Sequence, residues 1–185
     1  SRIVSNLLAF ARQPKIAPKR LSINQLIEKT LFLNSNQLKI GGVKVGTRLD
    51  PNLPDLLGSE DQLQQVFMNL LSNAAEAMPL GGTITITTEN RYVDYPIGNY
   101  DAVPEGDYAV LRVADQGTGI ARADLDHIFE PFFSRKKMGE SGTGLGMAVV
   151  YGTVKDHQGF IDVYSEVGRG TTFTLYFPLT RETMD

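Results

Sequence analysis

Four short stretches of the 185-residue chain carry residue types whose spacing could do chemistry. Asn69 and Asn73 stand four apart in a segment of helical periodicity, so their amides stack on one face, at the edge of an apolar stripe. An amide oxygen there is a neutral, hard ligand suited to Mg²⁺, which keeps several waters and shares its other positions with phosphates. The same pair could simply hydrogen-bond a neighbouring loop. Asp115-Gln116-Gly117-Thr118-Gly119 closes a strand with a carboxylate followed by two glycines. A buried-side carboxylate can accept from an exocyclic amine such as that of adenine, and glycines let the backbone approach a flat ring. An ordinary Asp-initiated turn is the plainer alternative.

Gly142-Thr143-Gly144-Leu145-Gly146 opens a helix, so backbone N–H groups and the positive end of the helix dipole face a place where a phosphate fits. No Gly-Lys-Ser/Thr follows, and no strand runs into the turn, so it is neither a Walker loop nor a dinucleotide fingerprint. A glycine hinge is the competing reading. Phe129-Glu130-Pro131-Phe132-Phe133-Ser134-Arg135-Lys136-Lys137 places aromatics that could pin a loop beside cations that could meet a triphosphate. By itself such a run is more simply read as a solvated charged face.

Composition removes other chemistries. The chain has no cysteine, so thiol catalysis, disulfides and cysteine-ligated zinc are excluded. Its two histidines, His127 and His157, are too few for a histidine-rich metal site. A net charge of −3 with pI about 5.4 provides no global field for nucleic acid or anionic membrane, so a polyanion must be gripped locally. No apolar run approaches the roughly 20 residues that cross a bilayer. We therefore expect a soluble domain.

The elements that must position these residues read as follows. Residues 1–12 carry Ile3, Val4, Leu7, Leu8 and Ala11 at helical spacing, and Pro14 stops them. Pro14 and Pro18, with Lys15, Lys19 and Arg20, make a stiff basic connector. Ser22 is a cap for a helix with Ile23, Leu26, Ile27, Thr30 and Leu31, ending before Gly41-Gly42. A strand through Val43, Val45 and Leu49 follows. From Ser59 a strongly amphipathic helix carries Leu63, Val66, Phe67, Leu70, Leu71, Ala74 and Met78. Residues 83–88 form a strand with Ile84 and Ile86 on its buried face, 92–106 a hairpin loop, and 108–115 a second strand. Residues 116–143 are mostly loop. A helix over 144–157 and strands over 160–164 and 171–177 complete an α+β sandwich, helices on one face of a mixed sheet.

Taken together and in order, the four stretches resemble the GHKL ATP-binding fold, specifically the catalytic domain of sensor histidine kinases with a short lid of the nitrogen-regulation type. Asn69 and Asn73 match the N box, Asp115 to Gly119 the first glycine box, Phe129 to Phe133 the F box and Gly142 to Gly146 the second glycine box. The ending Gly168-Arg169-Gly170-Thr171-Thr172-Phe173 matches too. The resemblance implies a two-layer α/β sandwich of the Bergerat type, with ATP and Mg²⁺ as cofactors. It implies that Asp115 accepts from the adenine amine, with Gly117 in the turn, and that Thr171 and Gly119 help to hold a water beside it. Asn73 would bind Mg²⁺, Asn69 would face the phosphates, and Lys136 would contact the terminal phosphates. Thr143, Gly144, Leu145 and Gly146 would line the phosphate end, the glycines through backbone N–H groups. Glu76 stands where many such kinases carry a lysine.

On the same resemblance, residues 1–13 are the tail of a dimerisation and phosphoacceptor helix, 14–20 a linker, 21–180 the catalytic domain and 181–185 a tail. The expected reaction is phosphoryl transfer from MgATP to a histidine on a phosphoacceptor helix pair of the same protein, then to a response-regulator receiver domain. The expected setting is a homodimeric parent, either soluble or membrane-anchored, with this domain in the cytoplasm and no nucleic-acid partner. Alternatives are an ATP-hydrolysing clamp, a nucleotide-binding module without catalysis, and a GHKL serine kinase. His127 and His157 are read as structural.

Overall fold

The computed structural model describes residues 18–133 and 146–179. The chain runs β1 (Lys19–Leu21), α1 (Ile23–Leu33), α2 (Ser35–Ile40), β2 (Val43–Arg48), β3 (Leu56–Gly58) and α3 (Glu60–Glu76). It continues through β4 (Gly82–Val93), β5 (Gly106–Ala114), α4 (Arg122–Leu125), α5 (Gly146–Asp156), β6 (Phe160–Glu166) and β7 (Gly170–Pro178). Strands β2-β4-β5-β7-β6 form one sheet, parallel only between β2 and β4. β1 and β3 form a separate antiparallel pair, with Lys19 opposite Gly58 and Leu21 opposite Leu56. The mixed sheet and its helical layer are the expected α+β sandwich.

The core lies where helical and strand periodicities meet. Ile84 and Ile86 on β4, Leu111 and Val113 on β5, Leu175 and Phe177 on β7 and Ile161 on β6 are all buried against α3 residues Val66, Phe67 and Leu70. Each large side chain so buried contributes about 1.5–3 kcal/mol from apolar area removed from water. α3 therefore sits centrally on the sheet, and its stripe edge is fixed in rotation by that burial. Ser59 caps it, its hydroxyl accepting from the Gln62 N–H at 3.3 Å, with Glu60 and Asp61 in the first turn.

Three features depart from the sequence reading. The helix expected to run on to Gly41 breaks at Asn34, whose Nδ2 donates to the Thr30 carbonyl at 2.8 Å while the Thr30 hydroxyl donates to the Leu26 carbonyl at 2.8 Å. Such side-chain donors compete for carbonyls near a helix end. β4 continues past Thr88 to Val93 because Glu89, Asn90 and Arg91 pair with Val110, Ala109 and Tyr108, and Arg112 bonds Glu89 at 2.8 Å. Lys19 and Arg20 lie in β1, so the basic connector ends in a paired strand.

His157 occupies a structural place. Its Nδ1 donates to the Thr153 carbonyl at 2.8 Å, and its Nε2 accepts from the Ser59 N–H at 3.0 Å, which ties the end of α5 to the cap of α3. Only the neutral ring can do both. Burial lowers its pKa below the ordinary 6.5. The unfolded chain therefore binds more protons below that value, so this contribution is complete above about pH 6.5 and is lost as pH falls toward the folded pKa. We expect the difference in Tm between the wild-type chain and His157→Gln, measured by thermal melts, to narrow by a few degrees as pH is lowered from neutral. A difference that stays constant would mean that the neutral ring does not form this clamp.

Candidate functional site

α3 presents Asn69 and Asn73 half-buried at the edge of its apolar stripe, as its period dictates. The Asn69 amide is engaged at both ends: Oδ1 accepts from Gln65 Nε2 at 3.0 Å, and Nδ2 donates to the Gly146 carbonyl at 3.2 Å. The first residue of α5 is thus held to α3. Asn73 stands one turn further along and makes no side-chain hydrogen bond among the described residues.

The turn after β5 packs on the same helix. Thr118 N–H donates to the Ala77 carbonyl at 3.1 Å, and a side chain at Gly117 would meet Ala77 at 2.6 Å. Ala77 is four residues beyond Asn73, so this contact puts the glycine turn about 6 Å further along the helix axis than Asn73. Gly119 has φ +77°, and a Cβ there would run into the Glu166 carbonyl. Only glycine meets both demands.

Asp115 is 9% exposed, and its Oδ1 accepts from the Gly117 N–H at 2.8 Å and the Thr171 N–H at 3.2 Å. The Asp115 N–H in turn donates to the Thr171 carbonyl at 2.9 Å, which extends the β5–β7 ladder by one residue. The carboxylate is therefore fixed in orientation. With about four acceptor positions in all, it has the capacity to accept a further donor such as an amine.

Ser165, which the sequence reading did not single out, completes the floor. Its hydroxyl lies 2.8 Å from the Thr171 hydroxyl, 3.1 Å from the Gly170 carbonyl and 2.7 Å from the Ile120 N–H. If its proton goes to the Gly170 carbonyl, its two lone pairs take Ile120 N–H and the Thr171 hydroxyl. The Thr171 oxygen is then left as an acceptor. One signal was available: Ser165 follows Ile161 and Val163 at period two on the inward face of β6, where a polar residue must have a partner.

The structure thus brings together Asn69, Asn73, Asp115, Gly117, Gly119, Gly146 and Thr171. Lys136, Thr143, Gly144 and Leu145, with the lid between them, lie outside the described residues. Among the described residues no group of three or more His, Cys, Asp or Glu could hold a metal ion. A cation at this site would take most of its ligands from water and phosphate, which is the habit of Mg²⁺, and the amide oxygen of Asn73 is a fitting donor. His127 is solvent-exposed and bonds Glu130 through Nδ1 at 2.8 Å, which raises its pKa.

Comparison with known proteins gives three kinds of finding. Residues 58–181 match the family described as histidine kinase-, DNA gyrase B-, and HSP90-like ATPase. Among curated relatives, the sensor kinase CckA of Brucella abortus (strain 2308) is 40% identical over 179 residues, covering 95% of this chain and 18% of that protein. The sensor histidine kinase ZraS of Escherichia coli (strain K12) is 35% identical over 179 residues, covering 97% of this chain and 35% of that protein. The chain therefore spans well under half of either relative. A crystal structure of full-length ShkA in complex with AMPPNP superposes with a TM-score of 0.75 at 23% identity, over 97% of this chain and 36% of that one. No helix among the described residues is long and apolar enough to cross a membrane.

Proposed function

The chain belongs to the histidine kinase-, DNA gyrase B-, and HSP90-like ATPase family, and from that premise we propose that it binds MgATP and transfers the γ-phosphoryl group to a histidine on a phosphoacceptor helix pair, from which a response-regulator aspartate receives it. The observation that carries transfer over hydrolysis is Asn69. An ATP-hydrolysing clamp needs a general base at that place, and an amide whose oxygen and nitrogen are both hydrogen-bonded cannot take a proton from water. The resemblance to sensor kinases and the naming of the relatives point the same way.

In this reading the protein acts chiefly by positioning and charge neutralisation. Asp115 accepts from the adenine amine, Gly117 lets the ring approach the turn, and Thr171 with Gly119 holds a water beside the base. Asn73 is the metal ligand and Asn69 aligns the α5 N-terminus with the phosphates, where Gly146 contributes a backbone N–H. Lys136, Thr143, Gly144 and Leu145 are assigned to the phosphate end on the resemblance alone. Mg²⁺, when bound, neutralises charge on the triphosphate oxygens. The whole protein is read as a homodimer with this domain in the cytoplasm and no nucleic-acid partner.

Titration calorimetry with a non-hydrolysable ATP analogue tests the metal assignment. Asn73→Ala should weaken binding roughly tenfold in Mg²⁺, about 1.4 kcal/mol, and change little in EDTA, because the amide oxygen contributes only when a hard cation is present. Equal losses in the two conditions would remove Asn73 from the metal.

A further inference from the structure

Between β4 and β5 the chain leaves the sheet for residues 94–105, crosses its outer face and closes on the edge strand β6. Ile97 and Val103 bridge one another and join an apolar cluster with Tyr108, Val110 and Tyr176 on that face. At the tip, the Asp162 carboxylate accepts from the Asn99 and Tyr100 N–H groups, both at 2.9 Å. Asp101 then pairs with the otherwise open edge: its N–H donates to the Ile161 carbonyl at 3.3 Å, and its Oδ2 accepts from the Ile161 N–H at 3.0 Å. Covering an edge in this way protects it from pairing with another chain.

Edge protection does not explain what the tip does next. Asp101 also binds α5, with Lys155 Nζ at 2.6 Å and the Tyr151 hydroxyl at 3.2 Å. The Tyr100 ring stands edge-on to two others, Phe129 at 5.0 Å and 74° and Tyr151 at 6.0 Å and 79°, while Phe129 and Tyr151 are 5.1 Å apart. Phe129 belongs to the segment after α4 and packs on Phe173 of β7. Three elements distant in sequence therefore meet on one tyrosine.

Tyr151 lies in the second turn of α5, and the first residue of that helix is Gly146, whose carbonyl receives the Asn69 amide. A helix 11 residues long, held at its midpoint where Tyr151 meets Tyr100 and just past its end by His157, has little freedom to rock. The adenine end of the site is built otherwise, from Asp115 and Gly117 just after β5 and Thr171 on β7, packed on the end of α3; among the described residues, hydrogen bonds tie these groups and the neighbouring Thr118 to one another, to Ser165 and to Ala77 rather than to the 94–105 strap.

We infer that Tyr100, held through its N–H by Asp162 and set beside the Asp101 bonds to α5, is a positioning residue for the phosphate end of the nucleotide site: it sets α5 against Asn69 and leaves the adenine end alone. This rests on the MgATP reading above. Burial, with Asp101 beside it, pushes the Tyr151 hydroxyl up to about 12, so it remains a donor to that carboxylate at any working pH.

The test compares binding of Mg-AMPPNP by calorimetry with binding of adenosine by NMR titration, on the full 185-residue chain. Tyr100→Ala should weaken Mg-AMPPNP about tenfold, leave adenosine within about twofold of wild type, and keep a cooperative melt. Tyr100→Phe, which retains both edge-on ring contacts, should restore Mg-AMPPNP to within about twofold of wild type. If the alanine variant does not fold, Tyr100→Leu, which keeps apolar volume without a ring, takes its place with the same expectation. Equal losses for the two ligands, or no loss for either, would overturn the inference. A wild-type chain that binds neither ligand would instead overturn the MgATP reading, and the inference with it.

Discussion

Asp115→Ala should cost the chain more adenine-nucleotide affinity than any other single side-chain replacement. In this structure the carboxylate is buried and held from behind by two backbone N–H groups, so it cannot swing away and water cannot easily replace it. On the proposed reading, removing it deletes the acceptor for the adenine amine and leaves a buried donor unsatisfied, together about 1–3 kcal/mol, or roughly 5- to 150-fold in Kd. The same replacement should narrow the preference for ATP over GTP. Guanine presents a carbonyl acceptor where adenine presents its amine, and a carboxylate repels the former while binding the latter. Calorimetry with ATP and GTP analogues gives both quantities. Unchanged ATP affinity in a folded Asp115→Ala chain would place the base elsewhere.

The second large effect is all-or-none. Incubated with labelled MgATP, the 185-residue chain should acquire no acid-labile phosphate, and a separately supplied helix-pair domain carrying the acceptor histidine should be labelled in trans. Attack on the γ-phosphorus needs an unprotonated imidazole nitrogen within a few ångströms and in line with the leaving oxygen. His157 has no such nitrogen to offer, since Nδ1 is committed to Thr153 and Nε2 to Ser59, and it lies beyond the far end of an 11-residue helix. That helix puts it about 16 Å from the α5 N-terminus. His127 is paired with Glu130, which favours its protonated, non-nucleophilic form. Acid and base treatment distinguishes acid-labile phosphohistidine from base-labile phosphoserine. Acid-stable label on this chain would sink the histidine-kinase reading and promote the serine-kinase alternative.

Where the sequence pattern is local, it determined the outcome. The period of Leu63, Val66, Phe67, Leu70, Leu71 and Ala74 required a helix with one buried stripe, and that stripe by itself put Asn69 and Asn73 on its edge. Ser22 and Ser59 are N-caps because a hydroxyl before an amphipathic run satisfies an orphan N–H. The alternation around Ile84 and Ile86 settled which face of β4 is buried. Asp115, Gly117 and Gly119 were legible as a carboxylate and a glycine turn at a strand end, while their part in a nucleotide site came only from the resemblance of all four stretches taken in order.

What only the tertiary structure decided are the partners. That Asn69 spends its amide on Gly146, 77 residues away, that Ser165 anchors Thr171 beneath the turn, and that His157 clamps Ser59 across 98 residues are facts of packing that no window of sequence contains. β1 and β3 escaped the sequence reading for the same reason: three residues each are too short for alternation to show, and each strand exists only through the other. Residues 92–106 read as a polar hairpin loop, yet within it Tyr100 and Asp101 join β6, α5 and the Phe129 segment. Periodicity encodes which way a side chain faces, because that follows from backbone geometry one or two turns long. It does not encode what the side chain meets there, because a hydrogen bond or ring contact between distant segments depends on how the whole chain closes its core.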